Sequence, residues 1–513
     1  ATGPSISYDA SSYCSTASDP TPTESNHAGA GTYSSTTGLV FVSTSTGQID
    51  LSASTAGTYT ITYTDTDSQT ATADVTVAAS VYYVDDAGSN SNNGATSGTP
   101  FATIAYAISK VGCSSTTINV AAGTYSEEDI VVDKDGVTID GAGPGSTIFD
   151  GDHTDRFMTI VGNNVTLQDM HIKQYAEPSG SSNTNGGGAL RIGGIADGST
   201  TEFSTAYTAI SITNVVFEDN YCNASSGDGG AVEIVKTNST STEIDVDFSK
   251  CKFYTNKSGT STSGNGGYNG GAVKGDKGSD LSFTNCLFYE NTARGNGGVL
   301  AIYNDGDADF FNCTMADNNS HNGGGAIYGA DGANIIIRNC ILYNTYDNGT
   351  LHEDVEESGT VSYTWSNTVY RNSSVGESCT SCSTVDPGFT DAANDDYTIG
   401  NTSSAKDIGS ATYAPSDDLL GLARPQGAGD DAGCYEVDEG PSCSGSWTSG
   451  DGAFTACQNN ASADEEYTIN ASSLTGDLTA TPPAGFEISL TSGSGYVSNP
   501  STLTIPQADA QAG

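Results

Sequence analysis

Basic residues are scarce: 16 Lys+Arg stand against 62 Asp+Glu in 513 residues, a formal net charge of −46. Nucleic acid and anionic membrane, which need a basic patch, are thereby excluded as partners. The same balance suits solubility, salt tolerance and divalent cations. Long apolar runs are also missing, so no membrane insertion is expected. No signal peptide opens the chain; Ala1–Pro4 reads as an internal or processed start, and Gly513 as a break inside a longer protein. Helical spacing is confined to one stretch: Thr99 and Pro100 form an N-cap and first-turn signal, and Phe101, Ile104, Ile108 and Val111 share one face before Gly112. The rest is rich in Gly, Ser, Thr, Asn and Asp, as turn-rich all-β structure requires.

The chain repeats itself between Val215 and Thr345. Phe217-Glu-Asp-Asn220, Phe253-Tyr-Thr-Asn256, Phe288-Tyr-Glu-Asn291 and Met315-Ala-Asp-Asn318 are one motif, and Leu342-Tyr-Asn-Thr345 is its degraded last copy. Val215, Cys251, Cys286, Cys313 and Cys340 stand two places before the apolar residues. Gly pairs (Gly229–Gly230, Gly270–Gly271, Gly297–Gly298, Gly324–Gly325) lie between copies. The spacing of 36, 35, 27 and 27 residues signals a solenoid. Segments such as Asp280–Phe288 alternate apolar and polar residues as strands do. Strands recurring at one phase stack in parallel about 4.8 Å apart, coil on coil. The Phe/Met and Cys positions then form apolar ladders inside, and Asn220, Asn256, Asn291 and Asn318 an amide ladder. The expected fold is all-β: a right-handed parallel β-helix with an N-terminal capping helix, flanked by β-sandwich domains. Its handedness is taken from resemblance rather than from the pattern.

The Gly-Gly-Ala and Phe-x-x-Asn repeats resemble those of chlamydial polymorphic outer membrane proteins, which implies a surface-exposed, usually adhesive β-helix. Ile118–Tyr125 and Val137–Gly143 resemble the opening coils of pectin-lyase-like proteins. Asp386–Phe389 through Asp431–Glu436 are similar to the closing segment of a bacterial family of secreted β-helix proteins with variable C-terminal anchors; this segment would cover the last coil. Gly38–Thr64 resembles immunoglobulin-like repeats of secreted Bacteroidota proteins, and Ser473–Tyr496 another sandwich repeat of proteins exported by the type IX route. The resulting division is an Ig-like sandwich at 1–79, a β-helix at 80–437 (cap helix 100–111, coils 115–345, closing segment 346–437) and a partial sandwich at 438–513.

Twelve cysteines point to an oxidising, extracellular setting. Cys251, Cys286, Cys313 and Cys340 read as a buried thiol column acting as small hydrophobes. Cys443 and Cys457 flank a short Gly-rich loop and suggest a disulfide. Cys379 and Cys382 could bridge each other or pair elsewhere. Cys14 has no partner in its own module, so it pairs with another domain or stays reduced.

Chemistry-bearing residues are fewer. Asp85, Asp86, Asn90 and Asn93 crowd oxygen donors into a Gly-containing loop, a setting for Ca²⁺; an Asx-rich turn gives the same pattern. Asp245 and Asp247 share a strand face, as do Asp305, Asp307 and Asp309, and Arg191 and Lys274 follow Gly-pair motifs. A lyase needs a Lys or Arg base and a hydrolase two carboxylates, so Asp245, Asp247 and Lys274 are the catalytic candidates. With so many acids, solvated strand residues explain the same clusters. His153, His171 and His321 occur singly and read as surface or satisfied histidines. Longer connections near 197–208, 236–243 and 257–269 are the expected recognition face. The expectation is an extracellular bacterial cell-surface protein, part of a long adhesin or filament, that binds glycans or neighbouring copies and meets the secretion machinery only in transit. The alternative is a secreted polysaccharide lyase or glycoside hydrolase of the same fold.

Overall fold

The structure, a computed structural model, describes residues 3–177, 186–193, 207–222, 227–235, 243–259, 268–347, 349–351, 353–371 and 379–438, with short strands between 478 and 505. The chain divides into two compact units, Ala1–Val437 and Asp438–Gly513. The second unit holds two antiparallel strand pairs, Leu478–Ala480 with Leu503–Ile505 and Glu487–Ile488 with Val497–Ser498. Cys443 and Cys457, and most of the connections expected to form a recognition face, lie outside the described residues.

The first unit is largely a stack of coils whose strands pair in parallel with those of the next coil, a β-helix-like solenoid. Column one runs from Val81–Val84 through Thr116–Val120, Val137–Asp140, Val165–Lys173, Tyr207–Glu218, Glu243–Ser249, Ser279–Thr284, Asp307–Phe311 and Asn334–Arg338 to Ser362–Ser366. Column two runs from Gly123–Tyr125 and Thr147–Asp150, through the far halves of Val165–Lys173 and Tyr207–Glu218, to Lys252–Tyr254, Leu287–Tyr289, Thr314–Ala316, Ile341–Tyr343 and Val369–Tyr370. Column three is Ile130–Val132, Met158–Ile160, Leu190–Gly193, Val232–Val235, Val273–Gly275, Leu300–Ile302, Ile327–Ala330 and Val355–Ser358. Column four consists of two-residue strands beginning at Tyr221, Lys257, Thr292, Asn319 and Tyr346.

Two features of the repeat explain how the chain closes each coil. Single residues in left-handed conformation turn the corners. One set, Asp169, Asn214, Lys250, Asn285, Asn312, Asn339 and Asn367 (φ 50° to 57°), bends the chain between columns one and two. The other, Gln174, Asp219, Thr255, Glu290, Asp317 and Asn344 (φ 48° to 56°), bends it between columns two and four. Asn and Asp tolerate this conformation best, which accounts for their frequency there. The Gly pair serves two needs. Gly270 and Gly297 have φ of 67° and 69°. Gly271 and Gly298 do not, but a Cβ on Gly271 would stand 2.2 Å from the Gly298 carbonyl oxygen of the next coil.

Inside, like stacks on like. Phe217, Phe253 and Phe288 stack at 4.7 and 4.9 Å between ring centroids, and Phe248, Phe283 and Phe310 at 4.8 and 4.7 Å. Met315 follows Phe288 in register. Cys251, Cys286, Cys313 and Cys340 are fully buried and unbridged. The Cys286 N–H points at Cys313 Sγ (3.5 Å), that of Cys313 at Cys340 Sγ (3.4 Å), and that of Cys340 at Thr368 Oγ1 (3.3 Å). Each ladder Asn donates from Nδ2 to the next: Asn220 to Asn256 Oδ1 at 3.0 Å, Asn256 to Asn291 at 3.0 Å, Asn291 to Asn318 at 2.9 Å. The second Nδ2 hydrogen goes to a main-chain carbonyl one coil back, from Asn256 to Phe217 and from Asn291 to Phe253. These buried amides thus have both donors and the acceptor engaged, as buried polar groups require.

Several expectations are corrected. The coils extend beyond 115–345 at both ends: Val81–Val84 is already in column one, and Val355–Tyr370 adds strands to columns one to three. Only the motif fades there. Thr345 and Thr368 occupy the Asn and Cys positions: the Thr368 hydroxyl accepts the Cys340 N–H where a sulfur would, whereas the Thr345 hydroxyl donates to Asp354 Oδ1 at 2.6 Å. The helix is Ile104–Ser109, capped by Thr103 rather than Thr99. The Phe101 N–H donates to the Tyr83 carbonyl and the Phe101 carbonyl accepts from the Asp85 N–H, so Phe101 stays extended, delaying the first turn. The Glu127 carboxylate takes the N–H groups of Ile104 (2.7 Å) and Ala105 (3.1 Å).

The segment from Asp386 to Val437 does not sit over the last coil. It lies along the outer side of column two, where Leu287, Tyr289, Ala316, Ile341 and Val369 point outward and need cover. Tyr397, Ile399, Ala405, Ala432, Cys434, Tyr435 and Val437 supply it. The corner asparagines hold it: Nδ2 of Asn285, Asn312, Asn339 and Asn367 donates to the carbonyls of Asp417, Asp431, Ser410 and Ile408. A buried Arg424–Glu436 pair at 2.7 Å fixes its own turn.

The N-terminal residues form a sheet ordered Ser12–Cys14, Thr70–Ala78, Gly57–Thr64, Thr32–Ser35, over a core of Tyr33, Ile49, Leu51, Ile61, Tyr63, Val75 and Val77. Cys14 is bonded to Cys113, just after the helix, and Cys379 to Cys382.

Candidate functional site

Side chains alternate along a strand, so the middle residue of each column-three strand points away from the core. In register these are Arg191, Glu233, Lys274, Ala301, Tyr328 and Glu356. The first three are ionisable, alternate in sign and are largely buried. Lys274 Nζ lies 2.9 Å from Asp228, 3.8 Å from Glu233 and 3.8 Å from Asp276. Arg191 lies 3.7 Å from the other Glu233 oxygen. Arg156 stands one coil earlier and bonds the carbonyls of Gly187 and Gly186, both at 3.0 Å. In a chain with 16 Lys+Arg, three cations therefore converge on one strip.

The backbone makes room for this cluster. A Cβ on Gly186 would meet the Glu233 carboxyl at 2.1 Å. Asp228 precedes the Gly pair and heads a second polar ladder: its Oδ1 accepts the Asn269 N–H at 2.7 Å, and Asn269 Oδ1 accepts the Asn296 N–H at 3.0 Å. In sequence, the column-three strands at 190–193 and 232–235 are each flanked on both sides by long polar connections. The ionisable strip thus coincides with the coils that carry the insertions.

Burial sets the protonation states. It pushes Glu233 up to about 7, against the pull of Arg191 and Lys274. Burial raises Asp228 as well, outweighing Lys274 and Asn269. For Lys274 burial works against the charge, yet Asp228, Glu233 and Asp276 together hold it above the ordinary lysine range. A lysine held protonated is a poor base, so the expected role of Lys274 is corrected: it supplies positive charge. Glu233 is the group that exchanges a proton near neutrality. Its Oε2 is buried and makes no hydrogen bond among the described residues.

The remaining candidates lie elsewhere. Asp245, Asp280 and Asp307 stack in register on the outer side of column one, with Asp247 and Asp309 beside them. Burial and its acidic neighbours push Asp280 up to about 6. This strip is on a different sheet from Lys274. Asp85, Asn90 and Asn93 are engaged by the chain itself: Asp85 Oδ1 accepts from Ala87, Asn90 Oδ1 from Ala102, and Asn93 Oδ1 from Ala95 and Thr99. Asp86 lies against Gly123. The Asp85–Ala87 and Asn93–Ala95 bonds, each to the N–H two residues on, are Asx turns. Among the described residues no group of three or more His, Cys, Asp or Glu converges as a metal site. His171 lies 2.8 Å from Glu218 and His153 3.3 Å from Asp219, both facing outward from the first coils.

Arg156, Asp228 and Glu233 escape sequence reasoning because none belongs to the recurring motif. Of the three only Glu233 leaves a signal, in the alternation of Arg191, Glu233 and Lys274 at the second position after each Gly-Gly-Ala. No helix among the described residues is long and apolar enough to cross a membrane. No protein-family model matches the chain, and neither does any curated protein. Among solved structures it is similar to a rhamnogalacturonan lyase (14% identity, 60% of this chain and 90% of that one, TM-score 0.29) and to a pectate lyase (14% identity, 70% and 96%, TM-score 0.33).

Proposed function

We propose that the chain is a secreted protein that acts on an acidic polysaccharide along the outer side of column three, by β-elimination. The observation that carries this reading is the placing of Glu233, a buried carboxyl between Arg191 and Lys274, pushed up to about 7 by burial, with one oxygen that makes no hydrogen bond among the described residues. Arg191 and Lys274 would pair with a uronate carboxylate and stabilise the negative charge that grows when the adjacent carbon loses its proton. Glu233 would take that proton, and the glycosidic oxygen on the neighbouring carbon would leave with the bond electrons as the double bond forms. The test is incubation with acidic and neutral polysaccharides, following unsaturated uronate absorbance. Product from an acidic polymer, abolished in Glu233→Gln, supports the reading. No product from any polymer, or an unimpaired Glu233→Gln enzyme, refutes it.

A second reading has its own support. Solid stacking from Val81 to Tyr370 makes a stiff rod, and the Cys14–Cys113 bond ties the N-terminal sheet to it. An adhesin or filament stalk on a bacterial surface would use such a stack to bind glycans or further copies. Glycan binding without cleavage, and head-to-tail filaments in electron micrographs, would favour this alternative.

A further inference from the structure

We infer that a polysaccharide lies along the axis of the coil stack, about one sugar ring per coil, and that Tyr303 and Tyr328 form an aromatic platform for the rings beyond the charged strip. This rests on the function proposed above and specifies how the substrate is held.

Column three changes character along its length. Arg191, Glu233 and Lys274 occupy three successive coils, and the next two outward positions are Ala301 and Tyr328. Ala301 points outward yet is fully buried. Tyr303 follows the strand Leu300–Ile302, and its hydroxyl accepts from Asn296 Nδ2, on the far side of that strand, at 3.3 Å. Tyr303 is thus held both by the chain and at its hydroxyl. Tyr328 stands beside it one coil on, 5.8 Å between centroids and tilted by 47°. Both rings are half-buried.

Flat, half-buried tyrosines beside polar groups suit a sugar ring, whose faces carry C–H groups and whose edge carries hydroxyls. Asn296 and Asn322 are linked at 2.9 Å along the edge of this platform and offer amides to those hydroxyls. Coils are spaced about 4.8 Å apart, close to the length of one sugar ring. A chain parallel to the axis therefore places successive rings over Arg191, Glu233 and Lys274 and then over the tyrosines. A chain running across the coils would meet only one of these positions.

The test uses oligogalacturonates and oligomannuronates graded from a disaccharide to about six rings, with binding to the wild-type protein, Tyr303→Ala, Tyr328→Ala and Tyr303→Phe measured by calorimetry. Thermal unfolding of each variant shows that it is folded. The expected result is a loss of about tenfold in affinity for the longer chains in both Ala variants, no loss for the disaccharide, and near wild-type binding in Tyr303→Phe. Wild-type binding with no loss in the Ala variants, or with equal loss at every length, overturns the platform and leaves the catalytic reading standing. Failure of the wild-type protein to bind any of these sugars overturns both.

Discussion

Replacing Asn291 by Ala tests whether the amide ladder bears stability. Asn291 Oδ1 accepts two bonds from the coil before it, the Asn256 N–H at 3.2 Å and Nδ2 at 3.0 Å. Its Nδ2 donates to Asn318 Oδ1 at 2.9 Å and to the Phe253 carbonyl at 2.9 Å. Truncation strands both Asn256 donors in a site no water reaches. An unsatisfied buried donor costs about 1–3 kcal/mol, so the expected destabilisation is about 4 kcal/mol. Asn220 is a built-in comparison. Among the described residues its Oδ1 accepts only the Tyr175 N–H, at 3.0 Å, so Asn220→Ala strands one donor and should cost about half as much. Urea unfolding read by far-UV circular dichroism measures both, and hydrogen exchange localises the loss to the coils around 256 and 291. Equal costs for the two variants, or a cost below about 1 kcal/mol for Asn291→Ala, would refute the reasoning.

Further expectations follow from the same geometry. Gly270→Ala must adopt a left-handed conformation and sets its methyl 2.1 Å from the Val273 carbonyl oxygen, and Gly271→Ala sets one 2.2 Å from the Gly298 carbonyl oxygen of the next coil, so each should cost more by thermal unfolding than the ~1–2 kcal/mol of left-handed strain alone. Glu233 binds its proton more tightly folded than unfolded; that stabilisation is complete below about pH 4.5 and lost as pH rises to about 7. Glu233→Gln should therefore flatten the stability–pH curve across this window by about 3 kcal/mol, and an unchanged slope would count against the buried carboxyl. Arg424→Met leaves Glu436 buried without its partner, at a cost of about 3–5 kcal/mol; it should free 386–437 and open Cys434 to thiol reagents. Cys14→Ser removes a link across 99 residues and should lower stability by about 4 kcal/mol, a loss that reductant reproduces in the wild-type protein.

The coil repeat is readable in the sequence because each coil must place the same groups at the same phase. Phe253 and Phe288, or Asn256 and Asn291, touch their own copies, so selection for packing writes a periodic signal. The Gly pair is readable for the same reason. The end of the stack is less so, since Thr368 accepts the Cys340 N–H in place of a sulfur and Thr345 turns its hydroxyl to Asp354. The packing of 386–437 is not legible: Cys434 and Tyr435 cover outward residues more than a hundred positions away, and no periodicity links them. The charged strip is half legible. Lys274 and Arg191 stand at a fixed offset from the Gly pairs, but the role of Lys274 depends on Asp228, Glu233 and Asp276, which only the folded coils bring within reach. The partner of Cys14 is likewise set by the docking of the helix, which places Cys113 beside it.

The stacking of coils underlies the ladders and aligns Arg191, Glu233 and Lys274, and sulfur marks it directly. An anomalous difference map from a crystal of the protein, recorded at long wavelength, should show the sulfurs of Cys251, Cys286, Cys313 and Cys340 as a line of interior peaks about 4.8 Å apart. Peaks that are scattered, or that lie at the surface, would contradict the account.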